Sequence, residues 1–311
     1  MVFDEIQKNL LKEVAGLEEV PNGAFNIRSN GELLGRTSTS SIEIVNKKDK
    51  PGIDIYIKKT DKKQRVDLPV IITKAGLKDL VYNDFYVEDG ADVLIVAGCG
   101  IHTVDNGDSS HDGIHSFHVG KNAKVTYYEK HYGGGDGNGK RTLNPTTEIF
   151  IDEGGSLTMD TAQIKGVDSS IRKTRAILQE KATLVIKEKI MTHGTQYAET
   201  DFNVQLNGED SAVHVVSRSV AKDSSVQKFY SVLDGNTKCS GRTECDAIVM
   251  DNAKVMALPG LNANDINASL VHEAAIGKIA GEQLIKLMTL GLSEKEAEEQ
   301  IVNGFFQYFN I

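Results

Sequence analysis

Residues 89–98, DGADVLIVAG, set the pattern from which the fold is read. A polar turn and a small residue lead to an aliphatic, Val93, that opens a strand rich in Val and Ile. The same module returns as GKNAKVTYYE (120–129), DEGGSLTMDT (152–161), QEKATLVIKE (179–188), GEDSAVHVVS (208–217) and MDNAKVMALP (250–259). Its opening aliphatics are Val93, Val125, Leu157, Leu184, Val213 and Val255, at intervals of 32, 32, 27, 29 and 42 residues. Strand units that recur at roughly 20 to 50 residues form coils or blades that stack, because one unit cannot bury its apolar face alone. A β-helix fits this spacing best. The chain has no Trp, which excludes the Trp-Asp propeller signature; a sandwich with similar turns is the competing architecture.

The apolar period changes on either side of this region. Upstream, Phe3, Ile6, Leu10, Val14 and Leu17 recur at three and four residues and predict a docking helix that ends near Pro21-Asn22-Gly23. Downstream, Leu284, Leu287 and Met288 form one stripe, Gly291 reads as a helix terminator, and Ser293 to Glu296 matches a capping box. Ala297, Ile301 and Phe305 supply the face of the next helix. The chain therefore divides into a helical segment (1–24), a mainly β core (25–278) and a helical pair (279–311) that shields the last coil or docks a partner.

Composition narrows the function classes. The 311 residues are enough for one large domain or two ordinary ones, and 44 acidic against 35 basic side chains give a net charge of −9. That balance, with no basic run, argues against nucleic acid and anionic lipid. No apolar stretch approaches the ~20 residues of a membrane span, and the N-terminus lacks the pattern of a secretion signal, so a soluble cytoplasmic protein is expected. Three cysteines do not make a disulfide framework, and reduced thiols follow as the default.

Two tempting motifs weaken on inspection. In GGGDGNGKRT (133–142), Arg141 stands where a phosphate-binding loop needs Ser or Thr, and the following TLNPTTEIFI reads as strand, so a flexible hairpin loop is expected. His102, His111, His115 and His118 suggest zinc, but His115 and His118 point to opposite faces of a strand, and His111 is expected in a solvated turn. Calcium through Asp105, Asp108 and Asp112 matches no known loop spacing. The cysteines are read as Cys99 ending a strand, Cys239 in a polar turn and Cys245 beginning a strand; by spacing alone each reads as an inert packing residue rather than a reactive thiol. His272 and Glu273 are adjacent on an extended segment, so one chain presents only one of them toward Cys245, whereas a symmetric pair of chains offers more.

The tail LVHEAAIGKIAGEQLIKLMTLGLSEKEAEEQIVNGF (270–305) resembles the C-terminal signature of the SufB/SufD family, scaffold components of the SUF iron–sulfur cluster assembly system. The likeness extends through TECDAIVM (243–250) and, more weakly, back to Cys99. It implies a right-handed parallel β-helix that pairs through its coils and docks an ABC-type ATPase, SufC, through the C-terminal helices. It also implies an assembly scaffold rather than an enzyme, with ATP hydrolysed by the partner and sulfur supplied by a cysteine desulfurase. Residue by residue, Cys245 matches a cysteine regarded as a ligand of the transient cluster, Glu273 a glutamate linked to the same site, and His272 a position where SufD contributes a histidine. Cys99 resembles the cysteine that receives persulfide sulfur, and His131 falls near the path along which that sulfur moves. Cys239 has no counterpart. Soft thiolate beside exchangeable imidazole or carboxylate suits a site that must release what it builds. The chain reads as a compact SufB-like scaffold that pairs with itself or with a SufB/SufD paralogue. Two other classes compete: a metal-free SufD-like partner of the ATPase, and a polysaccharide-acting β-helix enzyme, which an aromatic content of 6% without Trp disfavours.

Overall fold

A computed structural model describes residues 3–307. The chain opens with helix α1 (Glu5–Ala15), followed by β1 (Ala24–Ser29), β2 (Glu32–Thr37), β3 (Ile42–Asn46) and β4 (Gly52–Ile57). β1 pairs with β2, and β3 with β4, in antiparallel fashion. From there the chain alternates between two parallel sheets. The first takes β5 (Gln64–Ile72), β7 (Asp92–His102), β9 (Lys124–Gly134), β12 (Ser156–Lys165), β14 (Thr183–Thr192), β16 (Ser211–Ala221), β18 (Cys239–Val249) and β20 (Ser269–Gly277). The second takes β6 (Lys78–Val87), β8 (Ser109–Val119), β10 (Arg141–Leu143), β11 (Thr146–Ile151), β13 (Ser169–Leu178), β15 (Tyr197–Leu206), β17 (Val226–Gly235) and β19 (Lys254–Ala263). The result is a β-solenoid of about 8 turns, with 58% of residues in strands. Helices α2 (Gly281–Thr289) and α3 (Glu294–Gln307) follow it. Residues 1–2 and 308–311, the extremes of the two expected helical segments, lie outside the described residues.

The repeated module has a local cause. Gly90, Asn122, Gly154, Lys181 and Asp210 each stand three residues before an opening aliphatic, and each takes a positive φ between 55° and 70°. Glycine reaches that region freely and Asn or Asp tolerates it, which is why polar residues mark the turn; Lys181 is the exception. The openers then stack: Val93, Val125, Leu157, Leu184 and Val213 are direct register partners on successive strands. Val255 does not join them. It lies on β19 in the second sheet, opposite Gln227, and the row continues from Val213 to Gly241 and Leu270. The interval of 42 residues was therefore a step between sheets. Gly241 hides the true repeat because Leu233 and Leu270 fill its space, each within 2.8 Å of where a Cβ would stand.

Alternation along the strands sends one face inward, and the inward aliphatics with Phe85, Phe117, Tyr127, Phe202 and Phe229 form the continuous core. Each such side chain taken out of water stabilises the fold by roughly 1.5–3 kcal/mol. Helix α1 is shorter than its apolar pattern suggested. It starts at a capping box between Asp4 and Gln7 and stops at Gly16, whose left-handed φ of 66° ends it before Pro21. Leu10, Leu11, Val14 and Ala15 are buried against the outer face of the first sheet. The close seat depends on Gly98 and Gly100, where a Cβ would come within 2.5 Å of the Val14 carbonyl and 2.9 Å of Leu10.

The glycine-rich stretch 133–142 is not a hairpin. It joins β9 to β10, which belong to different sheets, and Gly135, Gly137 and Gly139 lie on the backbone of the preceding coil's connection at Thr103, Asp105 and Gly107. Stacking of connection on connection leaves no room for side chains there.

Candidate functional site

The apolar interior of the solenoid carries buried polar side chains, among them Glu129, Glu188 and His131 along two neighbouring rows of the first sheet. Four residues beyond each opener, the inward position of the first sheet reads Ala97, Glu129, Thr161, Glu188, Ser217, Cys245 and Ala274 across β7, β9, β12, β14, β16, β18 and β20. The next inward row reads Cys99, His131, Gln163, Ile190, Ser219 and Ala247. The second sheet faces them with His111 and His115 from β8, Arg172 from β13 and Thr200 from β15.

His115, Glu129, His131, Arg172, Glu188, Thr200 and Ser217 form one connected network, joined by Tyr127. His115 Nδ1 lies 3.0 Å from the Tyr127 hydroxyl, which donates to Glu129 Oε1 at 2.9 Å. Arg172 donates to Glu129 Oε2 at 2.7 Å, and its Nε lies 3.6 Å from Glu188 Oε1. Glu188 accepts from Thr200 at 2.9 Å and from Ser217 at 2.7 Å. His131 Nε2 stands 3.6 Å from Glu129. Arg172 is buried and lies between two buried carboxylates. Burial works to raise the Glu129 carboxyl, but the Arg172 guanidinium and His131 outweigh it and hold the group well below the usual carboxylate range. At Glu188 burial prevails over Arg172 and the two hydroxyl donors, and the carboxyl is raised. Burial pushes His115 down to about 4, so its imidazole is neutral at neutral pH.

Two small cavities flank this ion-pair cluster. One of about 20 Å³, lined by Cys99, His111, His115, Glu129 and His131, lies toward the N-terminal coils. One of about 10 Å³, lined by Glu188, Thr200, Ser217 and Cys245, lies toward the C-terminal coils. Each has room for about one water-sized group. Five strand spacings of about 4.8 Å separate the two cysteines' strands, roughly 24 Å.

The expected site residues fall as follows. Cys99 lies within β7, which continues to His102, and its thiol is raised by burial and then by Asp79 and Glu129. Cys245 lies in the middle of β18 rather than at its start, 2% exposed, and burial, then Glu188 and Asp246, push its thiol up to about 12. Cys239 is the first residue of that strand and is buried, not in a solvated turn. His131 is Cys99's direct register partner on the inward face. His272 pairs with Thr243, two residues before Cys245 on the same inward face, and its Nδ1 lies 2.6 Å from Thr243 Oγ1. Burial lowers its pKa and favours the neutral ring that binds metals. Glu273 faces outward and accepts from Arg242 at 2.7 Å. One chain thus turns His272, not Glu273, toward the Cys245 side. Among the described residues no three His, Cys, Asp or Glu side chains converge as a metal site.

His111 departs from expectation. It is not in a solvated turn but buried in β8, with Nδ1 2.9 Å from Asp79 on the paired strand. A carboxylate partner inside the coil is what makes its burial tolerable. His118 does face the opposite way to His115, stacked outside between Tyr86 and Phe150. Glu129, Arg172 and Glu188 were not singled out in the sequence. Their signal was parity: Glu129 and Glu188 stand four residues past Val125 and Leu184, a position that alternation turns inward.

The described residues thus form a parallel β-solenoid with thiols and paired charges inside it, followed by two helices. Residues 81–305 match the family model described as SUF system FeS cluster assembly, SufBD core domain. The chain therefore belongs to the SufBD family, whose role is iron–sulfur cluster assembly. It is 31% identical over 241 residues to an iron–sulfur cluster assembly SufBD family protein of Methanocaldococcus jannaschii, covering 75% of this chain and 73% of that one. It is 29% identical over 247 residues to a SufBD family protein of Archaeoglobus fulgidus, covering 78% and 65%. The iron–sulfur cluster assembly protein SufB of Bacillus subtilis is 36% identical over 99 residues, 30% of this chain and 21% of that one.

Proposed function

We propose that this chain is a scaffold on which an iron–sulfur cluster is built transiently at a seam between two chains, with Cys245 and His272 as donors from each and Glu273 as an exchangeable third. The observation that carries this reading is the shared inward face of Cys245 on β18 and His272 on the terminal strand β20. Both donors rest in the uncharged form, thiol and imidazole, so iron binding must displace the thiol proton. Glu273 has to leave Arg242 to take part.

Pairing through the last coil is supported by its surface. β19 and β20 end the two sheets, and Leu258 (51% exposed), Leu261, Val271 and Ile276 stand open on and around them. The helical pair offers a separate apolar surface in Ile285, Met288 and Leu290, the last 80% exposed, suited to docking a SufC-like ATPase. In this reading residues 25–278 hold the cluster and 279–311 hold the ATPase. Sulfur from a cysteine desulfurase is accepted at Cys99 and reaches Cys245 through the polar interior, past His131 and Arg172.

Anaerobic reconstitution with iron and sulfide tests the ligand assignment. Wild type is expected to develop visible sulfur-to-iron absorption that Cys245→Ala loses; identical spectra from the two would end the claim.

A further inference from the structure

The cavity beside Cys99 holds more than a thiol. His131 lies directly opposite Cys99 in the parallel register, both side chains are buried, and both line the same space of about 20 Å³. Within the described residues His131 Nδ1 has no hydrogen-bond partner although it is buried. The other ring nitrogen, Nε2, faces Glu129 Oε1 at 3.6 Å. Glu129 is in turn fixed by the Tyr127 hydroxyl at 2.9 Å and by Arg172 at 2.7 Å. A buried ring nitrogen without a partner costs free energy unless something else uses it.

Resting on the reading of Cys99 as a sulfur acceptor, we infer that Cys99, His131 and Glu129 form a nucleophile, base and orienting carboxylate that load sulfane sulfur onto Cys99. Burial opposes the thiolate at Cys99, so a neighbouring base is what makes the thiol a nucleophile. His131 Nδ1 takes the Cys99 S–H proton, and Cys99 Sγ attacks the terminal sulfur of a donor persulfide, R–S–SH. The new bond is Sγ–S and the bond that breaks is the donor's S–S. Its electron pair leaves on the donor sulfur, which takes the proton back from His131 and departs as R–SH. Sulfur moves without net oxidation or reduction. Glu129 is the positioning residue: it steadies the imidazolium through Nε2, and the 3.6 Å gap closes when that charge forms. Because Cys99 is buried, the donor meets it in a locally opened coil.

Other groups around the cavity have assigned partners. Asp79 on β6 binds His111 and Arg28, and His115 on β8 binds Tyr127. Arg172 on β13 is held between Glu129 and Glu188. That leaves His131 as the base nearest Cys99 in register.

The test uses the whole chain, reduced and anaerobic, with a small-molecule persulfide such as glutathione persulfide, and peptide mass spectrometry to time the gain of one sulfur at Cys99 from pH 6 to 9, roughly the range over which thiols titrate. His131→Gln is expected to slow loading about 100-fold, the scale of general-base catalysis, while still unfolding cooperatively. Divided by the un-ionised fraction of the persulfide donor, its rate should climb about tenfold per pH unit because only free thiolate then reacts, whereas wild type so treated rises less steeply. Glu129→Gln should slow wild type but not the His131→Gln background, a non-additivity that a purely structural role would not produce. Equal rates and equal pH profiles in wild type and His131→Gln would overturn the inference. Should His131→Gln fail to fold, wild type decides alone: a tenfold climb per pH unit, after division by the un-ionised fraction of the donor, means that no base assists. If wild type takes no sulfur at Cys99 at all, the acceptor reading itself falls, and this inference with it.

Discussion

Arg172 is the residue on which the interior depends most. It holds two carboxylates inside a coil that would otherwise have to be apolar, and one of them, Glu129, stays ionised because of it. Replacing such a pair wholesale is often tolerated, but removing one partner leaves a buried charge and costs about 3–5 kcal/mol. Arg172→Met is therefore expected to lower stability by that amount in urea unfolding, and a simultaneous Glu129→Gln change should recover part of it. Acid acts on a neighbour. His115 is neutral in the fold with its pKa at about 4, whereas in the unfolded chain imidazole titrates near 6.5. Between those values the unfolded chain binds a proton that the folded chain refuses, so stability is full above the upper value and falls as pH drops toward the lower. The loss from this one group is about 3 kcal/mol over that window, counting ~1.4 kcal/mol per pKa unit. His115→Phe should flatten the slope of unfolding free energy between pH 7 and pH 4, a window set by these titrations.

At the scale of elements, α1 and the strand under it were designed for each other by two missing side chains. Gly98 and Gly100 face outward on either side of inward-facing Cys99, and the helix sits in the space they leave. Gly100→Leu collides with Leu10 and Val14, and overpacking of this kind costs roughly 1–3 kcal/mol. The expected outcome is proteolytic release of residues 1–16 at protease levels that spare wild type, with the solenoid itself intact. The helical pair gives a different prediction. Its capping box at Ser293 and Glu296 and its terminator Gly291 keep two short helices at the end of the chain, with Ile285 and Leu290 open to solvent. Ile285→Asp with Leu290→Asp should abolish co-purification with a SufC-like ATPase while leaving the melting temperature within a degree or two, since exposed positions away from caps and core change stability little.

For the whole molecule the question is how the two ends of a stack are protected. The antiparallel pairs β1–β2 and β3–β4 close the first coil, whereas β19 and β20 finish the other end as sheet edges. Self-pairing there would bury Leu258 and Val271 and bring two β20 strands, each carrying His272, to one seam one strand away from Cys245. Leu258→Asp with Val271→Asp is expected to shift light-scattering mass from two chains to one, and to remove the reconstituted cluster with it. A variant that loses the dimer yet keeps the visible absorption would show that one chain suffices.

The local elements were legible because their causes are local. A left-handed turn residue three positions ahead of an aliphatic, then alternation by two, is written within ten residues, and so is a capping box. The tail motif that marks the family is likewise contained in one continuous stretch, 270–305. What only the tertiary structure decided is which distant residues meet. Coils of 27 to 32 residues differ in length, and the chain crosses between two sheets within each coil, so Val255 looked like the next opener when the row in fact passed through Gly241. The same uncertainty hid the interior charges. Alternation turns Glu129, Arg172 and Glu188 inward one by one, but only the stacking of β9, β13 and β14 across two sheets brings them within bonding distance. Side-chain direction is a property of a strand, whereas partnership between sheets is a property of the assembled coil.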